Sequence, residues 1–258
     1  MTAVEVAPGV LVTTSAIDTT TSTVVVDGEH ALLVDPAWRP SELARLADLL
    51  DDRGLTVTAG FSTHAHHDHL LWHPRFGAAP RWASPRTAAL AASERATLLD
   101  QMGPGWPPEL LALLGAVEAV DGDRLPAPWE AVEIVVHDGH APGHTAVRLA
   151  DRGVLLAGDM LSDVELPLPE GPDDLPAYLA GLDALAPWVA RAEVLVPGHG
   201  HPTHDPLARL DADRRYLDDL MTRGDSDDPR IGHPGMAEHH AHLQRLVRGE
   251  PGTPARSG

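Results

Sequence analysis

The chain has 258 residues, no cysteine and a formal net charge of −19 at pH 7, and all 19 basic residues are arginine. The length suits one large domain or two small ones, and the lack of cysteine excludes disulfides and thiolate metal ligands. So acidic a chain repels nucleic acids and anionic membranes. We therefore expect a small-molecule substrate, with no nucleic acid and no membrane as partner.

The N-terminus and the apolar segments carry no targeting or membrane signal. Met1–Val6 has neither a basic leader nor an apolar segment, and the longest apolar run, 110–117, is too short to span a bilayer. These features predict a cytoplasmic protein, and they leave a homodimer open.

The N-terminal third is predicted to form strands, then a helix, then another strand. β-rich runs and the turn pair Asp27-Gly28 indicate strands at 10–14, 22–26 and 31–34. Ser41 is expected to cap a helix whose leucines recur at helical spacing. A strand at 57–62 then leads into a cluster of histidines.

The rest of the chain is predicted to contain both strands and helices. The patterns predict further strands at 132–136, 146–149, 154–157 and 193–196. They predict helices at 85–99, 108–117, 173–185, 206–222 and 236–247. A polar loop is expected at 224–235, and a disordered tail at 249–258.

Two segments of the chain resemble each other. Residues 24–35 and 147–159 both read as hairpins, and they end in Asp35 and Asp159. Two similar halves, each with strands followed by helices, predict two sheets packed face to face with helices outside.

Metal-ligand side chains follow four predicted strands. Residues two apart on an extended segment point the same way, so His64 and His66 can bind one ion together. Asp68 and His69 lie at the start of what looks like a helix and can turn toward a second ion. Imidazole and carboxylate groups suit zinc and similar divalent ions. Three further candidates each follow a later strand: His144, Asp159 and His199.

Four motifs occur in one order: H-x-H-x-D-H from 64, P-G-H-T from 142, A-G-D from 157 and P-G-H-G from 197. Because it carries these four motifs in this order, the chain resembles the metallo-β-lactamase fold superfamily of binuclear hydrolases. The resemblance implies an α/β fold, an αββα four-layer sandwich of two mixed sheets face to face with helices outside. It implies a catalytic domain at 1–222, a C-terminal loop and helix packed on the same domain at 223–248, and a disordered tail at 249–258.

The resemblance also implies two divalent metal ions, zinc in the first place and iron or manganese as alternatives. The first ion would be held by His64, His66 and His144. The second would be held by Asp68, His69 and His199. Asp159 would bridge the ions, as in the glyoxalase II-like and lactonase-like branches. Asp68 and Asp159 would also be catalytic residues. No cysteine is present to act as the ligand found in many β-lactamases.

The activity implied is hydrolysis of a small ester, thioester or lactone by a hydroxide shared between the two ions. Three alternatives stay open. The same two ions could cleave phosphodiesters or nucleic acid. A single iron could support chemistry resembling that of persulfide dioxygenases. The fold could also serve as a metal-stabilised binding protein or scaffold.

Three residues near the ligands receive separate interpretations. His67 is out of phase with its neighbours and is expected to point away from the metals. His140 either supports a ligand from outside or is a turn residue, and the sequence does not separate these readings. Asp35 is expected to hydrogen-bond the ligand loop.

The sequence also suggests how the substrate pocket is bounded. Trp72, Phe76 and the segment 166–169 suggest a partly apolar mouth. His239, His240 and His242 are expected on an exposed helix or a substrate lid. Relatives that use glutathione need basic residues near the C-terminal helices, and the candidates for that task are Arg214, Arg215, Arg245 and Arg248.

Overall fold

The β-rich runs of the N-terminal half form a seven-stranded mixed sheet in the computed structural model, which describes residues 3–169, 171 and 174–249. The first four strands pair antiparallel in chain order, and the next three extend the sheet in parallel. The strands are β1 (Ala3–Ala7), β2 (Val10–Thr14), β3 (Thr21–Asp27), β4 (His30–Val34), β5 (Thr56–Phe61), β6 (Arg81–Ala83) and β7 (Glu118–Ala119).

The second half of the chain forms a four-stranded mixed sheet. Its strands are β8 (Val132–Val136), β9 (Thr145–Leu149), β10 (Val154–Leu156) and β11 (Val194–Val196). The first three pair antiparallel in sequence, and β11 joins β10 in parallel. β4 and β5 are likewise parallel, so both sheets present neighbouring carboxyl ends from which loops leave toward one region.

Seven helices and three short 3₁₀ turns are found in the described residues. The helices are α1 (Pro40–Asp52), α2 (Pro85–Ser93), α3 (Arg95–Gln101), α4 (Pro108–Leu111), α5 (Asp174–Val189), α6 (Pro206–Arg223) and α7 (Met236–Val247). The 3₁₀ turns are Pro74–Phe76, Ala150–Arg152 and Pro229–Gly232. Within the segments that the structure describes, no helix is both long and apolar enough to cross a membrane.

Three apolar cores separate the layers. The central core joins inward-facing residues of the two sheets, such as Val12 and Phe61 on one side and Val147 and Val196 on the other. The second core lies between the other face of the large sheet and helices α1 to α4. The third lies between the small sheet and helices α5 to α7. The predicted four-layer α/β sandwich is therefore confirmed.

Backbone hydrogen bonds join the rims of the two sheets where the ligand loops leave. Thr145 N–H donates to Thr63 O (2.9 Å), and Thr21 N–H donates to Gly198 O (2.7 Å). The residues that follow β5 and β11 are therefore fixed against strands of the opposite sheet.

The structure corrects several predicted element boundaries. Helix α1 begins at Pro40, with Arg39 and not Ser41 at the cap position. The helix expected at 85–99 is divided at Glu94, and the one expected at 108–117 ends at Leu111. Strands β1, β6 and β7 were not anticipated, and the last two are too short to show an alternating pattern.

Other predictions lie partly or wholly outside the described residues. The predicted disordered tail falls on residues 250–258, apart from Gly249, and these are not described. Asp173, the expected start of a helix, is also outside, and α5 is described from Asp174. The division of the chain into three parts stays a prediction.

Glu42 stabilises the start of α1 from inside the protein. Its carboxylate accepts bonds from Ser15 Oγ (2.8 Å), Ala16 N–H (3.1 Å) and Arg39 N–H (3.2 Å). Burial alone would raise the pKa of Glu42, but these bonds outweigh it and place the pKa below its ordinary value of 4.5.

We predict that Glu42→Gln lowers the free energy of unfolding by about 2 kcal/mol at neutral pH, because hydrogen bonds to a charged acceptor are lost. The contribution of Glu42 is present above pH 4.5 and disappears as pH falls through the depressed folded pKa. Urea unfolding at several pH values should therefore show the difference between wild type and variant shrinking in acid. The exposed Glu29→Gln is the control, and a difference that is constant with pH would contradict the assignment.

Candidate metal centre

The loop after β5 places its polar side chains at the carboxyl ends of both sheets. His64 Nδ1 lies 3.0 Å from Thr63 Oγ1, which directs Nε2 into the site. Asp68 and His69 lie in a tight turn and not at a helix start, and His69 N–H donates to His66 O (3.2 Å). The sequence prediction of a helix at this point was wrong, but the turn still directs both side chains inward.

Four side chains form the first of two groups of potential ligands. His66 Nδ1 lies 2.9 Å from His64 Nε2 and 3.2 Å from His140 Nε2. Asp159 Oδ2 lies 3.2 Å from His64 Nε2 and 3.5 Å from His140 Nε2. Imidazole nitrogens that face one another at such distances around a carboxylate can bind a shared cation.

The second group consists of Asp68, His69 and His199. Asp68 Oδ2 is 3.4 Å from His69 Nε2 and 3.3 Å from His199 Nε2, and the two imidazole nitrogens are 3.4 Å apart. This group also has the donor types and spacing to hold a metal ion.

Asp159 connects the two groups. Besides its contacts in the first group, its Oδ1 lies 3.2 Å from His69 Nε2 and its Oδ2 lies 3.3 Å from His199 Nε2. A Cβ on Gly198 would come within 1.9 Å of Asp159 Oδ1, so only glycine allows this approach. Asp159 Oδ1 is buried without a hydrogen-bond partner among the described residues, as expected of an oxygen that faces a cation.

Asp35 supports the ligand loop from behind, as predicted. Its Oδ1 accepts a bond from Thr63 N–H (2.8 Å), and its Oδ2 accepts one from Thr63 Oγ1 (2.6 Å). His69 Nδ1 lies 3.0 Å from the same Oδ2. Because Nδ1 is held by Asp35, the Nε2 atom of His69 faces the site.

His199 is oriented in a similar way by the opposite part of the chain. Its Nδ1 donates to Asp18 O (2.8 Å), and Thr20 Oγ1 lies 3.4 Å from the same nitrogen. The loop between β2 and β3 therefore fixes the ring, a contribution that the sequence pattern did not reveal.

The hairpin between β8 and β9 brings His140, and not His144, into the first group. His137 N–H donates to His144 O (2.8 Å), which closes the loop and leaves His140 beyond the end of the sheet. His144 is fully buried, and its Nε2 accepts a bond from Asp159 N–H (3.1 Å) while its Nδ1 lies 3.3 Å from His137 Nε2. Both ring nitrogens of His144 are thus engaged within the protein.

The motif predicted His144 as a ligand, but the structure places His140, four residues earlier in this loop, in the first group. Both histidines follow a glycine, and the Pro142-Gly143 turn was expected to direct His144 at the metal. That turn is instead anchored to helix α2, because Gly143 O accepts bonds from Ser84 Oγ (2.6 Å) and Thr87 Oγ1 (2.9 Å). The sequence alone could not show which of the two histidines the turn directs inward.

The charge states of the two groups differ. Burial holds the pKa of His140 and of His144 well below the ordinary histidine value, so both rings are neutral. Burial would also lower the pKa of His69, but Asp159 and Asp68 outweigh it and raise the pKa well above that value. His69, close to two carboxylates, therefore differs in its electrostatic environment from His140 and His144.

A cavity of about 340 Å³ opens onto both groups. Besides the ligand candidates, Ala141, Pro142, Glu165, Leu168, Asp174 and His239 line it. Glu165 Oε1 lies 3.7 Å from His199 Nδ1, and burial raises the pKa of Glu165 to about 7 against the opposing effect of His199. Glu165 was missed at the sequence level, since it belongs to a loop without a motif.

The predicted pocket wall is only partly correct. Leu168 and His239 line the cavity, and His239 Nε2 donates to Pro167 O (3.0 Å). Trp72 and Phe76, expected at the mouth, are instead buried against each other in the core beneath the large sheet.

Two further histidines from the sequence analysis make contacts outside the two ligand groups. His67 packs edge-on against Trp38 at 5.0 Å between ring centroids and belongs to neither ligand group, although its Nδ1 lies 4.0 Å from Asp68 Oδ1. His240, expected on an exposed surface, is buried and lies 3.0 Å from both Tyr216 Oη and Asp225 Oδ1.

Comparisons with known proteins agree with this architecture. The family model for the metallo-beta-lactamase superfamily matches residues 17–199. A hydroxyacylglutathione hydrolase from Thermosynechococcus vestitus is 35% identical over 131 residues, which cover 51% of this chain and 44% of that protein. The uncharacterized protein ML0493 of Mycobacterium leprae is 27% identical over 224 residues, covering 73% of this chain and 87% of that protein. The chain thus spans less than half of the hydroxyacylglutathione hydrolase.

A solved structure extends the similarity to three dimensions. TTHA1623 in a di-iron-bound form superposes with a TM-score of 0.59 at 24% identity, over 77% of this chain and 96% of that chain. At this level of identity, the match supports the fold alone.

Removing the negative charge behind the ligand loop should weaken metal binding. Asp35 has a φ of +48°, a conformation that asparagine also tolerates, so Asp35→Asn keeps shape and backbone while weakening the bond to His69. We predict a 10- to 100-fold loss of metal affinity, roughly the range for outer partners of metal ligands. Competition with a chromophoric chelator measures it. The exposed Asp27→Asn is the control, and equal affinity in the two variants would contradict the role of Asp35.

Proposed function

Because the chain belongs to the metallo-beta-lactamase superfamily, we propose that it is a metal-dependent hydrolase that cleaves a small ester, thioester or lactone. The observation that carries the proposal is the position of Asp159, whose carboxylate lies between two separate groups of ligand side chains. A shared carboxylate of this kind suits two ions at one substrate site.

The residues present fit divalent metal ions. The buried Asp159 Oδ1 has no hydrogen-bond partner among the described residues, and imidazole nitrogens face each other in the first group at 2.9 and 3.2 Å. We propose that the first ion is held by His64, His66, His140 and Asp159, and the second by Asp68, His69, His199 and Asp159. His144 then positions Asp159 through the backbone and does not bind metal.

Bound ions would supply Lewis acidity toward a carbonyl oxygen and would lower the pKa of water at the site. The protein itself contributes position and shielding. Asp35 and Asp18 fix the rings of His69 and His199, and His144 fixes the backbone of Asp159. Ala141, Pro142 and Leu168 provide apolar wall that limits access of bulk water to a bound acyl group.

The choice of metal is part of the proposal. Histidine and carboxylate ligands suit zinc, and the di-iron form of TTHA1623 makes iron the main alternative. Two complete groups of ligands favour two ions over the single iron of a persulfide-dioxygenase-like enzyme. A cytoplasmic location and a homodimer stay predictions.

Matched substitutions distinguish the two histidines of the β8–β9 loop. We predict that His140→Gln lowers the metal content from two ions per chain to about one, because the first site loses a ligand. His144→Gln should keep two ions, since glutamine can still accept the bond from Asp159 N–H. Elemental analysis after dialysis against low-affinity buffer measures both. Loss of an ion in His144→Gln and not in His140→Gln would reverse the assignment.

The shared carboxylate can be tested by activity. We predict that Asp159→Asn abolishes turnover of ester, thioester and lactone substrates and lowers metal content, because asparagine cannot provide a charge to two ions. The exposed Asp151→Asn, on the hairpin that precedes Asp159, is the control and should retain full activity. If the wild type with two ions cleaves no compound of this panel, or if Asp159→Asn stays active, the proposed function is wrong.

A further inference from the structure

The cavity beside the ligand groups has an acidic lining. Outside the ligand groups, whose carboxylates the proposed ions would neutralise, Glu165 and Asp174 face the cavity, while Arg is absent from its described lining and the chain contains no Lys. Residues 161–174 contain five carboxylates and no basic residue. His239 is not a compensating cation, because burial lowers its pKa to about 4.

Arg230, which contacts the loop that carries Glu165, is already neutralised. Arg230 is buried, and its guanidinium donates to Asp213 Oδ1 (2.5 Å) and Asp228 Oδ2 (2.9 Å). It also donates to the backbone oxygens of Ser162 and Glu165, both at 3.0 Å. Arg230 therefore fixes the loop that carries Glu165 and has little charge left for an anionic substrate.

The side chain of Glu165 lacks a strong partner of its own. Its one ion-pair contact in the described structure is His199 at 3.7 Å, although the side chain is only 20% exposed. The nearby His199 Nδ1 already donates to Asp18 O. A carboxylate that is mostly withdrawn from water and lacks close donors is stabilised by a cationic ligand.

We infer that this cavity selects an acyl substrate that carries an ammonium group, with Glu165 as the residue that recognises the cation. The inference rests on the proposed hydrolase function and names its substrate class. The ammonium donates to the Glu165 carboxylate, Asp174 adds negative charge at the cavity rim, and the apolar wall of Ala141, Pro142 and Leu168 contacts the chain between the ammonium and the carbonyl.

The same lining disfavours glutathione thioesters, whose glutathionyl group carries two carboxylates against a single ammonium and is therefore an anion. Arg214, one of the four arginines that the sequence offered for such a role, is paired with Asp183 at 2.8 Å. Arg214, Arg215, Arg245 and Arg248 are all absent from the described cavity lining. A small cationic acyl group fits the cavity volume and the charge together.

Three acyl groups of nearly equal size test the inference. β-Alanyl, butyryl and succinyl thioesters of N-acetylcysteamine place a cation, a methyl group or an anion at the far end of the acyl chain. For the wild type with two ions we expect kcat/KM to fall in that order. The β-alanyl thioester should be favoured over the butyryl thioester by about 10- to 100-fold, the range for a hydrogen bond to a charged group. Glu165→Gln should remove most of this preference, mainly by raising the KM of the β-alanyl thioester, while the chain still binds two ions.

Glu29→Gln, an equal change of charge far from the cavity, controls for the overall charge of the protein and should keep the wild-type preference. Cleavage without preference for the cation, or a preference that Glu165→Gln preserves, overturns the inference and leaves the hydrolase proposal intact. If no thioester is cleaved, calorimetry tests the inference separately by comparing the affinity of the protein for β-alanine with its affinity for butyrate. Tighter binding of β-alanine that depends on Glu165 supports the inference, and equal binding overturns it.

Discussion

The placement of one carboxylate between two groups of imidazoles is the constraint on which the rest of the site depends. Asp159 can occupy this position because β10 ends beside β11, because Gly198 leaves room for its oxygen, and because His144 holds its backbone N–H. Asp159 contacts both ligand groups within 3.5 Å. An uncompensated buried carboxylate would be costly, and the histidines around Asp159 stabilise its charge.

The two halves of the chain use equivalent hairpins for different tasks. Asp35 follows β4 and Asp159 follows β10, at corresponding ends of the two sheets. Asp35 holds Thr63 and His69 from behind the site, whereas Asp159 faces the ligands directly. The hydrophobic patterns that build two face-to-face sheets therefore also bring two carboxylates to one place, one behind the ligand loop and one between the ligand groups.

The sequence was sufficient for the four-layer fold, because long apolar runs with clear turn signals specify most strands and helices. It was also sufficient to place Asp35 against the 64–69 loop, whose side chains the structure brings together, and their role as metal ligands stays a prediction. It was insufficient for the choice between His140 and His144, which depends on contacts of Gly143 with α2 that lie far apart in the chain. The roles of Glu165 and Arg230 were missed for the same reason, since long-range packing and not a local motif places Glu165 at the cavity and Arg230 against the loop that carries it.

The central claim is that two ions share Asp159, with His140 completing the first site. Anomalous diffraction from crystals of the metal-loaded chain, collected on both sides of the metal absorption edge, tests it most directly. Our account predicts two anomalous peaks, one on each side of the Asp159 carboxylate. The first should contact His140 and the second His199. A single peak, or a first peak bound by His144 with His140 turned away, would contradict it.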